Sequence, residues 1–387
     1  MKFDKKDKFK KKFTKDFRPQ GEKFVDNPPK EMSIGEISNE HLRDNIFLTG
    51  FIDKVQQTAG PTVFFISDGT GILALKGFIG PGARAFPEIN EGDAVRTKIK
   101  LSEFRDALEG EIAHITKLSD NEKESLLKEI RALEIKRAEV NFTSFMVHDK
   151  ILEKLKDRFI EAATQIRLAI IQSRPIIVRH HNDADGYSSG YALERAIIPL
   201  IEKQHGGGKS PWEYYTRAPC AAPFYEIDDS IRDTDHSLAN EAKFSNKMPL
   251  IIIADNGSSS EDLLAIMQGK VHGIDFIVVD HHFFDEDVIS EQTLVHINPF
   301  LLGEDGSMFS AGMLCAELAK LINPESRVEQ IPAMAGIADR INNPKAIEDY
   351  LKIAGKIGYN KDLLAKIASV IDFVSSKLRF MEAREYI

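Results

Sequence analysis

Three apolar, β-branched runs constrain this chain more than any other feature, because each ends abruptly in a cluster of polar and ionisable groups. "PIIV" leads into "RHHNDADG" at Arg179–Gly186, "PLIIIA" into "DNGSSS" at Asp255–Ser260, and "DFIVV" into "DHHFF" at Asp280–Phe284. Helical segments lie between them, as at Tyr187–Lys203 and Glu261–Gln268. Continuous β-branched runs alternating with helices predict a parallel sheet covered on both faces, hence an α/β fold. In such sheets ligands collect beyond the carboxyl ends of the strands, so all three clusters are expected on one edge of one sheet.

Brought together there, Asp183, Asp185, Asp255, Asp280, His281, His282 and a histidine of the first cluster make an electrostatically costly group. Carboxylates in one crevice repel one another and raise each other's pKa values. Divalent cations remove the repulsion, and a mixed set of carboxylate oxygens and imidazole nitrogens suits Mn²⁺, or Mg²⁺ where fewer histidines bind. Two ions roughly 3.5–4 Å apart, bridged by one carboxylate, would activate water and hold a phosphoryl oxygen. Singly, "DADG" and "DNG" read as turns and an HH pair as structural. Their placement after successive strands is what carries the metal reading.

A chain of 387 residues exceeds one typical domain. No apolar run approaches the ~18 residues of a membrane span. Nor does an apolar stretch follow the lysine-rich N-terminus, as a signal peptide requires. Cys220 and Cys315 stand far apart without CxxC spacing, which argues against a disulfide framework or a zinc knuckle. A cytoplasmic protein without membrane association is expected.

The net charge of −9 hides an asymmetry, since residues 1–30 carry eleven Lys/Arg against five Asp/Glu. Residues 1–33 are expected to be a disordered basic tail in which Phe3, Phe9, Phe13, Phe17 and Phe24 interleave with lysines. Such a tail either grips nucleic acid, lysines on phosphates and rings on bases, or only solubilises the chain. Over 34–119, alternating apolar positions such as Val63, Phe65, Leu73 and Leu75, parted by glycine-rich turns, predict a five-stranded barrel. Residues 120–172 read as a helical connector, with a stripe at Ile151, Leu155, Phe159, Ala163, Ile166 and Ile170.

Two resemblances follow from these motifs. "TGFIDKV…GPTVFFISDGTGILALKGF…EGDAVRTKIKL" resembles nucleic-acid-binding OB-folds, which implies that the "DGTG" turn joins two strands of a binding face. "HNDADG", "IIIADNGSS", "DHH", "SMFSAGMLCAELA" and "AMAGIADR" occur in the order of the motifs of the DHH phosphoesterase superfamily, and within it the RecJ-like nucleases. That resemblance implies a catalytic domain over 173–345. It places one metal on Asp183, Asp255 and His181 and a second on Asp185, Asp255, His281 and Asp339, with Asp255 as bridge. It further implies that His282 faces the scissile phosphate, that Asp280 orients a histidine, and that Ser310, Ala311 and Gly312 offer backbone N–H groups to a phosphate. His180 competes with His181 for the first-motif role, and His-x-Asp-x-Asp-Gly favours His181.

The implied function is a two-metal exonuclease on single-stranded DNA or RNA, 5′ to 3′ by resemblance, with replication or repair proteins as partners. The alternatives are a non-catalytic nucleic-acid scaffold and a phosphodiesterase of short oligonucleotides or cyclic dinucleotides. The glycine-rich loop of a second, substrate-clamping domain is not found in 346–387, which reads as helices; a linker to such a domain and a shortened family member both stay open. Three further features read as decoys. "GGGKS" lacks a preceding strand, Asp233, Asp235 and His236 sit in what reads as a solvated loop, and Trp212, Tyr214 and Tyr215 read as core.

Overall fold

The computed structural model describes residues 29–377 except 105, 106, 206, 207, 209 and 221. Most of the basic tail and the closing "MEAREYI" lie outside the described residues. The first body is a closed five-stranded barrel built from β2 (Asn45–Gln57), β3 (Thr62–Ser67), β4 (Ile72–Gly77), β5 (Ala94–Phe104) and β6 (Ala107–Lys117). A two-residue strand, β1 (Lys30–Glu31), runs parallel to β2 at its edge. The strands follow the order β2-β3-β4-β6-β5, and pairing of β2 with β5 closes the ring. Alternation puts Ile46, Leu48, Ile52, Phe64, Ile66, Leu75 and Ile99 inside, where they form a core of their own.

The Asp68–Gly71 turn of the barrel is not an open binding loop. Asp68 accepts hydrogen bonds from the amides of Thr70 and Gly71, and from that of Ile34 on its other oxygen. Helix α1 (Asp120–Ala138), capped by Ser119 and Glu122, then lies across the turn. Gly69 has φ +81°, and a Cβ there would touch Ile130, so the close approach requires glycine. Arg137 donates to Gly69 O at 2.7 Å and, through its other nitrogen, to Gln204 at 3.1 Å. The helix thus braces the barrel against the second body.

That body is a five-stranded parallel sheet in the order β11-β10-β9-β7-β8. Its chain order is α2 (Lys150–Ile171), β7 (Ile176–His180), α3 (Ala184–His205), α4 (Ser210–Tyr214), β8 (Tyr215–Pro219), α5 (Ile227–Phe244), β9 (Leu250–Ala254), α6 (Ser260–Val271), β10 (Asp275–Val279), β11 (Val295–Ile297), α7 (Ala311–Ile322), α8 (Ile331–Ala338), α9 (Pro344–Gly355) and α10 (Lys361–Lys377). One face packs on α2, α3, α7 and α8 through Phe159, Ile166, Ile176, Ile252, Leu314 and Ala335. The other packs on α5 and α6 through Ile177, Ile251, Tyr225, Phe276 and Ile266. Because β8 lies on one side of β7 while β9, β10 and β11 lie on the other, the direction of winding reverses between β7 and β9. A crevice opens there, at the carboxyl ends.

Several expectations need correction. Residues 120–172 are two helices parted by a non-helical stretch, and the apolar stripe of α2 is buried in the core of the parallel-sheet body. The polar segment around Asp233 is the helix α5, where Asp229 and Asp233 are buried against Arg179 at 3.2 and 2.5 Å. Trp212 is 88% exposed, whereas Tyr214 is buried and stacks on His205. Among the described residues, no helix is long and apolar enough to cross a membrane.

Candidate metal centre

The crevice between β7 and β9 gathers groups from four segments. His181 follows β7 directly, and the chain turns through Asn182 into α3, whose first turn carries Asp185. Asp183 caps that helix, with Oδ1 accepting the Gly186 amide at 2.9 Å while Oδ2 lies 2.9 Å from His181 Nδ1. Only glycine fits at 186, since a Cβ would lie 2.1 Å from His181 O. Asp255 follows β9 in a left-handed conformation at φ +62°, a region that Asp and Asn tolerate better than other residues with a side chain. Its amide still donates to Val279 O at 2.9 Å, so the sheet ladder holds the residue in this backbone state.

From β10 come Asp280, His281 and His282. Asp280 is buried, and its Oδ1 accepts from the His281 amide at 2.8 Å and lies 2.8 Å from His282 Nδ1. This contact aims the half-exposed His282 ring outward. The His282 carbonyl accepts from Asn298, which also donates to Ser258 at 3.0 Å, itself 2.9 Å from His296. The buried His281 sets Nδ1 on Gly306 O at 3.2 Å and turns Nε2 inward. There Nε2 lies 3.5 Å from Asp255, 3.6 Å from Asp339 and 3.9 Å from Asp185. Asp339 ends α8, partly open to solvent.

Three overlapping groups emerge whose ligand atoms all lie within 4.8 Å of one another: His181, Asp183 and Asp255; Asp185, His281 and Asp339; and Asp255, His281 and His282. Of the two competing histidines, His181 enters the cluster. His180 is the last strand residue, wholly buried, with Nδ1 on His181 O at 2.7 Å and its ring edge on Tyr187. Burial pushes it down to about 3, so it stays neutral.

Ser310, Ala311 and Gly312 stand at the start of α7, beside Asp185. All three are buried, and the Ser310 hydroxyl and Gly312 amide donate to Asp185 Oδ1 at 2.7 and 3.1 Å. Two of the three thus hold a carboxylate of the cluster. Sequence reasoning also missed Gly306, Ser258, His296 and Asn298. The last two lie in "HINP", where polar groups interrupt a short strand, and that was the available signal.

Charge within the cluster is unbalanced. Burial, then the neighbouring Asp255 carboxylate, raises Asp185 well above the usual carboxylate range, and burial also raises Asp339. Burial disfavours charge on His181 and His281, yet the surrounding carboxylates, Asp183 and Asp255 on His181 and Asp255 and Asp185 on His281, outweigh it and lift both to about 10. Asp185 Oδ2, Asp255 Oδ2 and His281 Nε2 are buried without a hydrogen-bond partner among the described residues. Orphaned polar atoms of this kind cost several kcal/mol unless something occupies the space between them. A divalent cation fits that donor set of oxygen and imidazole nitrogen.

Comparison with known proteins agrees with this geometry. The model of the DHH family, N-terminal domain, matches residues 175–339. An uncharacterized protein of Methanocaldococcus jannaschii is 36% identical over 381 residues, 92% of this chain and 50% of the relative. The chain thus spans about half the length of that curated relative. Among solved structures, the DHH domain of a member of a ribosomal-protein family is 37% identical with a TM-score of 0.64, covering 67% of this chain and 62% of that one. Exonuclease RecJ bound to manganese is 17% identical with a TM-score of 0.44, covering 62% and 61% of the two chains. Residues 175–339, the segment that matches the DHH family, N-terminal domain, carry every group of the cluster.

Proposed function

We propose that the chain is a metal-dependent phosphodiesterase that hydrolyses single-stranded nucleic acid, working as an exonuclease with two Mn²⁺ or Mg²⁺ ions. One observation carries the reading: two ligand groups from separate strand ends meet at a single buried carboxylate, Asp255. In this reading His181, Asp183 and Asp255 hold one ion, and Asp185, Asp255, His281 and Asp339 hold the other. Bound there, the ions supply Lewis-acid polarisation of a phosphoryl oxygen and a water of lowered pKa.

The chain's own groups do the rest. Ser310 and Gly312 fix the Asp185 carboxylate so that its second oxygen faces the cluster. The hydrogen bond to Asp280 pins His282 by Nδ1 and raises its pKa, so that the imidazolium's Nε2–H can donate to a phosphoryl oxygen and stabilise charge that builds there. His282 suits that task because its side chain is 55% exposed, unlike the buried His281. Outside the crevice, the barrel offers exposed aromatic rings. Lys76 sits 4.1 Å over the Phe104 ring, and Phe78 and Phe104 are exposed, as stacking platforms for a single strand require. In this reading the barrel is an OB-fold used for strand binding, and the basic tail adds phosphate contacts.

Matched DNA and RNA single strands, labelled at one end or the other, test the reading in the presence of Mn²⁺. Shortening from one end supports it and fixes the polymer and direction. Binding without cleavage, in protein loaded with Mn²⁺, overturns the enzyme in favour of a scaffold. Turnover confined to di- or trinucleotides moves the substrate class to short oligonucleotides.

A further inference from the structure

Helix α10 follows the last ligand, Asp339, by more than twenty residues, yet it returns to the first-motif loop. The Asp372 carboxylate accepts the Ala184 amide at 2.8 Å, and the Asn182 side chain reaches Ser375 O at 3.4 Å. Ala184 is the residue between Asp183 and Asp185, and Asn182 lies between His181 and Asp183. The Ala184 N–H is one of the first-turn donors of α3 that no intrahelical carbonyl can satisfy. Asp183 takes only the Gly186 amide, since its other oxygen faces His181. The Ala184 donor is therefore left to another helix. A second observation is independent of the first. α10 buries Leu364 and Ala368, with Leu364 in the same core as Ile331, Ala333 and Ala335 of α8, the helix that ends at Asp339.

We propose that Asp372 is a positioning residue: from α10 it fixes the peptide that joins Asp183 to Asp185, and so makes cation binding depend on chain beyond the last ligand. The inference rests on the reading of the cluster as a cation site. Asp372 touches no group of the cluster itself and acts through the Ala184 backbone. Outer partners of this kind typically change metal affinity 10–100-fold when removed.

The experiment uses the full chain and two readouts, calorimetric titration with Mn²⁺ and hydrogen exchange of the Ala184 amide in metal-free protein. Asp372→Ala should weaken Mn²⁺ binding at least ~10-fold and speed Ala184 exchange. Asp372→Asn keeps an acceptor and should stay within about threefold of the parent, a rescue that a merely structural role of the charge would not give. If the alanine variant loses its fold, Asp372→Ser, polar but too short to reach Ala184, replaces it with the same expectation. Unchanged Mn²⁺ affinity and unchanged Ala184 exchange overturn the role of Asp372 while leaving the cation site intact. A parent chain that takes up no Mn²⁺ overturns the cation site itself.

Discussion

Asp255 can be neutralised without disturbing its backbone, and the choice of substitution follows from its φ of +62°. Alanine there would add roughly 1 kcal/mol or more of left-handed strain, whereas asparagine tolerates that region. Asp255→Asn therefore removes the shared carboxylate and little else. At a Mn²⁺ concentration a hundred times the dissociation constant, each site stabilises the fold by about 2.7 kcal/mol, so two sites give about 5. If losing the shared anion weakens each site about 100-fold, the same Mn²⁺ concentration leaves only about 0.4 kcal/mol per site. Thermal melts with Mn²⁺ and with chelator read this directly. For a body of this size ~1 kcal/mol moves the midpoint by about 2–4 °C, so a metal-induced rise of about 10 °C or more should shrink to about 2 °C. A variant that keeps the full rise would show that Asp255 bridges nothing.

Four further outcomes are expected. Gly312→Ala places a Cβ 2.6 Å from that of Ala335 and 2.8 Å from Asp185 Oδ1, so it should destabilise by about 1–3 kcal/mol and weaken Mn²⁺ binding; denaturant melts and calorimetry check both. Arg179→Met strands the buried Asp229 and Asp233, and urea unfolding should show a loss of about 3–5 kcal/mol. Glu317 is lifted by burial to about 7 from its ordinary 4.5, against hydrogen bonds from Met146 and Tyr350 that favour its anion. The folded chain holds that proton more tightly, so the contribution is full below about pH 4.5 and falls as pH rises through about 7; relative to Glu317→Gln, stability should drop by about 3 kcal/mol across that window. Deleting residues 1–28 should weaken single-strand binding and flatten its salt dependence by about 0.7 per lost phosphate contact, read from affinities at several salt concentrations.

The strands that bear the cluster were legible because both of their faces are buried. β7, β9 and β10 are apolar almost throughout, and such runs leave little else to be. β8 and β11 lie at the sheet edges, where "YTRAP" and "VHI" carry polar groups and no pattern long enough to detect. Ligand identity was legible from position after a strand, but hydrogen-bond direction was not. Ser310 and Gly312 donate to a carboxylate 125 and 127 residues away in sequence, which no local pattern encodes. The misreading near Asp233 has a similar origin. Its polarity suggested solvent, whereas Arg179, a cation inside an apolar strand, already demanded buried anions.

Lys54 leaves the barrel strand β2 almost without solvent and meets Glu213 at 2.5 Å and Asn246 at 2.7 Å on the parallel-sheet body. Swinging the barrel away would break this ion pair and hydrogen bond together, so the joint resists opening. In the proposed nuclease, a strand captured on the barrel would therefore travel along a fixed frame, with no lever arm at this joint to carry it.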